Sequence, residues 1–516
     1  MANNGERSFI TVIRPDGAER RLSCRVGESL LSALREAGLA PDAPCGGRGS
    51  CGRCRVRAAG ALSPIDRREK TLLAGADPSL RLACQAEILG DCRVALPPEG
   101  SMLFAPGGEA GKPVRPLYRR LGAAVDLGTT TLAVRLYDAE GFLGERAGKN
   151  PQAVYGADVT TRLGAAIAGQ GKELQAAAAN GIRALLEELA QAAGRSLTEI
   201  DALVIAGNTA MLTLLAGSDP TPLTKPPFSA ARASFTWADP AELGLTGLTA
   251  QCCLPPCPAA YVGADALLSL LSSGMTEGPE TALLADVGTN GELALWHEGR
   301  VYAASAPAGP AVEGAGLSWG CLGGVGAVDR VWTEQGEIRC RVIGGGAAMG
   351  VCGSGAVDAL AAYLNAGYMD STGRICRPRG DWAEGLCLPL AGNVTLSQKD
   401  IRSLQLAKSA VYAGMETLLH RAGLAPEQVE RFYLAGGFGS YVDPESAARM
   451  GLIPRPLETR TRVLGNAALT GAAMLLLDSD RIETAEKLAA AVEHVELAAD
   501  PDFMDRYVAG MEFPEE

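Results

Sequence analysis

Two short stretches constrain this 516-residue chain more than anything else in it: AVDLGTTTLAV, beginning at Ala124, and LADVGTNGELAL, beginning at Leu284. Each reads as a strand, a tight Gly-Thr turn and a return strand. At the first tip stand Asp126, Gly128, Thr129, Thr130 and Thr131. At the second stand Asp286, Gly288, Thr289, Asn290 and Gly291, with Glu292 opening the return strand. Glycine lets a backbone approach a phosphate closely, threonine N–H and hydroxyl groups donate to its oxygens, and an aspartate can hold Mg²⁺ through water. One such turn is most often a plain structural turn. Two of them, about 160 positions apart, point to a duplicated α/β fold with a phosphate chain between its halves, because a site needs converging groups.

A third glycine cluster, Gly436-Gly437-Phe438-Gly439 in FYLAGGFGSYVDP, follows a strand and precedes a helix. Alone it is an ordinary strand-to-helix turn. With the two hairpins it is a place where the chain passes close to an adenine or ribose. Gly207-Asn208 and Gly465-Asn466 are similar turns followed by small residues, as expected where helices pack closely at an interlobe hinge.

The first hundred residues have a different chemistry. SFITVIR and AERRLSC flank the turn Pro15-Asp16-Gly17 and read as a hairpin, and Ser29 caps a helix that Gly38 ends. PCGGRGSCGRC follows. Cys45, Cys51 and Cys54 have the spacing C-x5-C-x2-C, and Cys84 lies 30 positions further on. Four thiolates are the ligand set of a [2Fe-2S] cluster, and Gly46, Gly47, Gly49 and Gly52 allow the tight wrap that such a loop needs. The spacing resembles plant-type ferredoxins with one extra residue in the first gap. A structural zinc site is the competing reading; zinc ribbons usually carry two C-x2-C knuckles, and here there is one. Cys24 and Cys92 lie outside the pattern and read as packing residues. So do Cys321, Cys340 and Cys352, while Cys252, Cys253 and Cys257 lack a fourth partner at ligand spacing.

Composition narrows the partners. The formal charge is −12, which disfavours nucleic acid and anionic membrane surfaces. Three scattered histidines argue against a His-rich metal site. No apolar run spans a bilayer, Ala467–Leu477 being about half of one, and no secretory leader is visible, so a cytoplasmic location is the expectation. The Pro/Gly-rich stretch 97–120 reads as a linker. The expected division therefore begins with a β-grasp [2Fe-2S] ferredoxin-like domain over 1–96 and a linker over 97–120.

Asp126–Thr131, Asp286–Gly291 and Gly436–Gly439 resemble the two phosphate motifs and the adenosine motif of the acetate kinase/sugar kinase/Hsp70/actin superfamily, in that family's order. The whole chain resembles the reductive activators of corrinoid proteins. CGGRGSCGRC, AVDLGTTT, NPQAVYGADVTTR, IAGNTAM, YVGADAL, LADVGTNGE, APAGPAVEGAG, VCGSGAVDAL, QLAKSAVYAG and LAGGFGSYVDP carry that resemblance. It implies two ribonuclease-H-like lobes, a first over 121–200 and a C-terminal ATPase domain over 201–516, with ATP and Mg²⁺ between the lobes and a low-potential electron held on the cluster. It also implies a corrinoid protein or corrinoid-dependent methyltransferase as partner, an upstream low-potential donor, and a homodimer. Asp126, Asp286 and Glu292 are the candidate catalytic carboxylates. A small-molecule kinase with an accessory redox domain and a nucleotide-sensing regulator are the other readings. Three places have two readings each: Asn150–Arg162 as a cleft lining or partner contact against a helix entry capped by Asp158; Glu313 as a Mg²⁺ or water ligand against a buried turn; Gly353-Ser354-Gly355 as an anion seat against a simple cap.

Overall fold

The computed structural model describes residues 7–14, 17–41, 43, 47–49, 54–73, 79–96, 106–229, 234–314, 316–376 and 386–515. Cys45, Cys51, Gly46, Gly52, Pro15 and Asp16 lie outside these. The chain forms two compact units. One comprises Met1–Gly100 with Pro151–Gln170, the other Ser101–Asn150 with Gly171–Glu516.

In the first unit, β1 (Arg7–Ile13) pairs antiparallel with β2 (Glu19–Arg25), and β3 (Arg55–Leu62), β4 (Leu80–Leu82) and β5 (Ile88–Ala95) complete a mixed sheet of order β2-β1-β5-β3-β4. β1 alternates exposed and buried residues, as a sheet with one solvated face requires. Its inner face meets the helix Leu30–Glu36, and Ile10, Val12, Leu30, Leu34, Val56, Leu82, Ile88 and Val94 form the core. Ser29 caps that helix by accepting from the Ser32 N–H, and Gly38 follows it at φ +70°. This is a β-grasp domain.

The second unit holds two mixed sheets of the same plan. β6 (Leu121–Leu127), β7 (Thr131–Asp138) and β8 (Gly141–Lys149) form an antiparallel meander. β9 (Ile200–Gly207) pairs parallel with β6, and β10 (Thr236–Ala238) and β11 (Gln251–Leu254) extend that side. The boundary drawn at residue 200 therefore falls at the start of a central strand, and the first lobe runs on to at least Leu254. A parallel crossover hides this locally, since β9 reaches β6 only after a long excursion.

The second lobe repeats the pattern with β12 (Ala282–Val287), β13 (Gly291–His297) and β14 (Arg300–Ala306). An insertion then carries two small sheets: β15 (Ala327–Glu334), β16 (Glu337–Val342) and β17 (Gly350–Val351), then β18 (Cys387–Ala391) and β19 (Val394–Ser397). β20 (Arg431–Ala435) pairs parallel with β12, and β21 (Thr461–Gly465) and β22 (Val492–His494) finish the sheet. Both lobes have the order of a ribonuclease-H-like sheet.

Helices Ala264–Ser273 and Ala467–Leu477 lie between the sheets. One continuous core joins Ala133 and Val204 of the first lobe to Leu267, Leu271, Leu469 and Leu476 of these helices, and on to Leu284 and Tyr433 of the second. Ala467–Leu477 is apolar all round because it is buried all round. No helix among the described residues is long and apolar enough to cross a membrane.

The stretch expected as a linker is anchored in its second half. Val114 and Leu117 N–H groups donate to the Leu477 and Leu476 carbonyls, and Gly108 N–H donates to Thr470 Oγ1 at 2.8 Å. Proline and glycine here shape an extended strap whose N–H groups find partners on the helix Ala467–Leu477.

Candidate functional site

The two hairpins bring their tips together. β6 and β7 place Asp126 opposite Ala133; β12 and β13 place Asp286 directly opposite Glu292. Facing carboxylates repel when both are ionised, so a proton or a cation relieves this pairing. At the tips, Thr130 Oγ1 and Thr289 Oγ1 lie 2.8 Å apart. Glu313 Oε2 is within reach of both, 2.7 Å from Thr289 and 3.2 Å from Thr130. Glu313 thus ties the two hairpin tips together, which a plain buried turn would not do.

The Gly-Asn turns hold these loops. Asn208 caps the helix Thr209–Leu215, and its Nδ2 donates to Thr129 Oγ1 at 3.0 Å. Asn466 caps Ala467–Leu477, and its Nδ2 donates to Asp126 Oδ2 at 2.8 Å. Asn150 Nδ2 supports the first loop from behind, donating to the Gly128 carbonyl at 2.8 Å.

Burial in the cleft pushes the acids up. Asp126 rises to about 6 through burial, with the nearby Asp286 charge adding and the Asn466 amide opposing. Asp286 also rises to about 6 through burial, opposed by Ser269 Oγ, which donates to it at 2.8 Å. Asp265, in the first turn of Ala264–Ser273, is pushed to about 7 by burial, with Asp126 and Asp286 adding. Burial raises Glu292 well above the usual range, with Asp265 and Asp286 adding.

Among the described residues no three carboxylate, thiol or imidazole side chains form a closed metal site. Burial is the main cause in all four acids, and neighbouring carboxylates add to it in Asp126, Asp265 and Glu292.

The glycine loop Gly436–Gly439 completes the cleft. Gly436 sits at φ +92°, where a Cβ would stand 2.6 Å from Asp286 Oδ1 and 2.7 Å from the Val287 carbonyl. A cavity of about 350 Å³ results, within the range of small-ligand sites. It is lined by Asp126, Gly128, Thr129, Thr130, Thr131, Asp286, Gly288, Thr289, Asn290, Glu292, Gly436, Gly437 and Phe438. Gly291 and Gly439 do not line it. Their positions are packing positions, where a Cβ would stand 3.2 Å from Val411 and Leu434 side-chain atoms respectively.

Cys352, Gly353 and Ser354 also line the cavity, at the start of the helix Gly353–Asn365. Ser354 Oγ is 3.1 Å from the Asp329 carbonyl, and Cys352 rather than Ser354 is the cap residue. The sequence reading missed Asp265, Arg330 and Arg341, which line the same cavity. Asp265 lies inside a motif quoted for the family resemblance, but no local pattern marks it as a cleft residue.

Asp158 caps the helix Val159–Ala165 by accepting from the Thr161 N–H at 2.7 Å. Arg162 is fully buried, with Nε donating to the Gly156 carbonyl at 2.8 Å. The helix-entry reading thus accounts for Asp158 and Arg162, which belong to the first unit, while Asn150 belongs to the second and supports the Gly128 loop.

Of the four thiols expected to hold a cluster, Cys54 and Cys84 are described, and they meet. The Cys84 N–H donates to Cys54 Sγ at 3.5 Å, and Gln85 Nε2 donates to Cys84 Sγ at 3.4 Å. The Cys84 thiol is lowered to about 6, first by its hydrogen bond with Cys54 and against the effect of burial. Gly47 and Gly49 between them take φ of +91° and +69°. Converging thiols with N–H donors aimed at sulfur fit an iron–sulfur cluster. Cys24 and Cys92 are core residues. Cys252 and Cys253 are adjacent on β11 and so point to opposite faces, and burial raises both to about 12.

The comparisons with known proteins agree with this geometry. A model described as a 2Fe-2S iron-sulfur cluster binding domain matches residues 13–89, the RACo middle region matches 121–278, and the C-terminal domain of RACo, the ASKHA domain, matches 280–516. The corrinoid activation enzyme RamQ of Eubacterium limosum is 31% identical over 442 residues, 80% of this chain and 72% of that one. The [Co(II) methylated amine-specific corrinoid protein] reductase of Methanosarcina barkeri is 31% identical over 288 residues, 50% of this chain and 51% of its own. A solved structure titled as a reductive activator for corrinoid, iron-sulfur protein superposes with TM-score 0.71 at 25% identity, covering 98% of each chain. A cluster-binding domain joined to a two-lobed ATPase-type body defines the class. This chain belongs to the RACo family of reductive activators of corrinoid proteins.

Proposed function

We propose that this protein reactivates a corrinoid protein or corrinoid-dependent methyltransferase by passing single electrons to Co(II), giving Co(I), in a step driven by MgATP. The observation that carries the reading is the Thr130–Thr289–Glu313 knot, which joins the phosphate loops of both lobes in a chain that also brings cluster-type thiols together.

Cys45, Cys51, Cys54 and Cys84 are the residues assigned to a [2Fe-2S] cluster, which when bound supplies a low-potential one-electron couple. Gln85 and the loop N–H groups hold negative charge at the sulfurs. In the cleft, Thr129, Thr130, Thr131, Thr289 and Asn290 receive phosphate oxygens. Asp126, Asp265, Asp286 and Glu292 hold Mg²⁺ through its waters, and Gly436, Gly437 and Phe438 pass beside the adenosine.

Raising one electron by 100 mV costs about 2.3 kcal/mol. A near-complete two-state switch needs about 5.5 kcal/mol of differential binding. Lobe closure biased by nucleotide is therefore large enough to drive electron transfer across a gap of some 200 mV, on that same charge–potential conversion. Slow ATP turnover, a homodimeric assembly, an upstream low-potential donor and a cytoplasmic setting complete the proposal.

Asp286→Ala tests it. The variant should keep its visible cluster bands and lose ATP-stimulated cobalt reduction. Cobalt reduction at the wild-type rate in that variant would remove the cleft from the mechanism.

A further inference from the structure

The charge of this chain is unevenly distributed. Residues 1–96 carry 15 Lys and Arg against 11 Asp and Glu, a net +4, so the remaining chain holds −16 of the overall −12. An N-terminal electron-transfer domain of the opposite sign to its body is a polarised surface.

Part of that positive charge lies beside the cluster loop. A groove of about 820 Å³ is lined by Arg48 and Gly49 of that loop and by Arg67, Arg68 and Thr71 of the helix Arg67–Leu72. Gly49 N–H also donates to the Cys84 sulfur, so the groove reaches the cluster site itself. Arg48, Arg67 and Arg68 are all exposed. Of the two nearby acids, Glu69 faces inward, and Asp66 is exposed on the groove wall. Glu69 is fully buried in an ion pair with Arg81 at 2.8 Å, and also accepts from the Leu82 N–H at 2.7 Å. Asp66, on the groove wall, accepts from the Glu69 N–H at 2.6 Å as the helix cap. Arg48 also reaches Thr161 Oγ1 at 3.5 Å, which holds one end of its guanidinium at the groove rim.

We propose that this groove is the docking face for an acidic one-electron carrier protein that reduces the cluster, an inference that rests on the reductive-activator reading above. One electron leaves the carrier's reduced centre and enters the cluster; no bond forms and no proton moves. Complementary charge steers such an encounter and fixes its orientation. The −16 remainder repels the same carrier, so charge favours docking on the N-terminal domain. A long polyanion such as nucleic acid would meet that repulsion along its length.

The test measures binding of an oxidised acidic plant-type [2Fe-2S] ferredoxin to the full-length, cluster-loaded protein by titration calorimetry at several salt concentrations. The variant is Arg67→Glu/Arg68→Glu. Acidic residues in a first helical turn favour the helix dipole, so the helix is retained. Affinity should fall at least about tenfold in the variant and about tenfold with added salt in the wild type. The same ferredoxin with its carboxylates amidated should not bind. Unchanged affinity in the variant, or indifference to salt, overturns the proposal.

A second arm separates this from the functional reading. Methyl viologen radical, a small cation needing no docking, serves as the reductant for cobalt reduction. The variant should then match the wild type. A loss in this arm as well would assign the face to the corrinoid partner and overturn the donor proposal. If the wild type itself fails to reduce cobalt here, the activator reading fails, and the calorimetry still decides the groove.

Discussion

Thr130 and Thr289 stand 159 positions apart in the chain, and their hydroxyl oxygens lie 2.8 Å from each other. Each belongs to a different lobe, and both address the same Glu313 oxygen. The closest approach of the two lobes at their phosphate loops is therefore a polar knot, and an incoming phosphate competes for its donors.

That knot predicts energetic coupling. Thr130→Val and Thr289→Val should each weaken ATP binding. The double variant should lose less than the sum, with a coupling of about 0.5–3 kcal/mol. Calorimetric ATP titration of the four proteins measures it; strict additivity would mean that the hydroxyls act independently.

Gly436 is a position that a side chain cannot share with Asp286. Gly436→Val places a Cβ 2.6 Å from Asp286 Oδ1 at a φ of +92°. Backbone strain of this kind costs about 1–3 kcal/mol. A lowered Tm and loss of the thermal shift given by MgATP are expected, with the visible cluster bands unchanged.

The cluster site and the nucleotide cleft fall in different compact units. Cys84→Ser should therefore bleach the visible spectrum while MgATP still raises Tm. Loss of nucleotide binding together with the cluster would show that the cysteine site supports the cleft's fold.

Asp358 gives a pH dependence. It is 1% exposed, and burial raises it to about 6, with Ser446, Arg330 and the Val331 N–H opposing and Asp443 adding. Its folded value lies above its unfolded value, so the folded state binds the proton more tightly. The associated stability is fully present below about pH 4 and is lost as pH rises through about 6, at about 1.4 kcal/mol for each pH unit between the two values. Asp358→Asn should flatten Tm against pH over that window. An unchanged slope would place the titration elsewhere.

Much of this site was legible because its signals are local. A strand, a Gly-Thr turn and a return strand occupy a dozen residues, so Asp126, Thr130, Asp286 and Thr289 could be read directly. Asp265 could not, because it reaches the cleft only when helix Ala264–Ser273 packs against Ala467–Leu477, and no short pattern encodes that packing. Gly291 and Gly439 sat inside the motifs yet serve packing, since a sequence does not say which glycines face a ligand and which face Val411 or Leu434. The lobe boundary was missed for a related reason: β9 joins the first sheet from far along the chain. The β-grasp core was legible from alternation in β1 and the capped helix after it. The direction of charge in its groove was not, because Glu69 reads as a surface acid until Arg81 is seen to bury it.

The most direct test of the central claim follows the EPR signal of the Co(II) corrinoid partner after mixing with the prereduced protein. With MgATP the signal should disappear as Co(I) forms, and without nucleotide, or with Asp286→Ala, it should persist. Equal loss of the Co(II) signal with and without ATP would contradict the account.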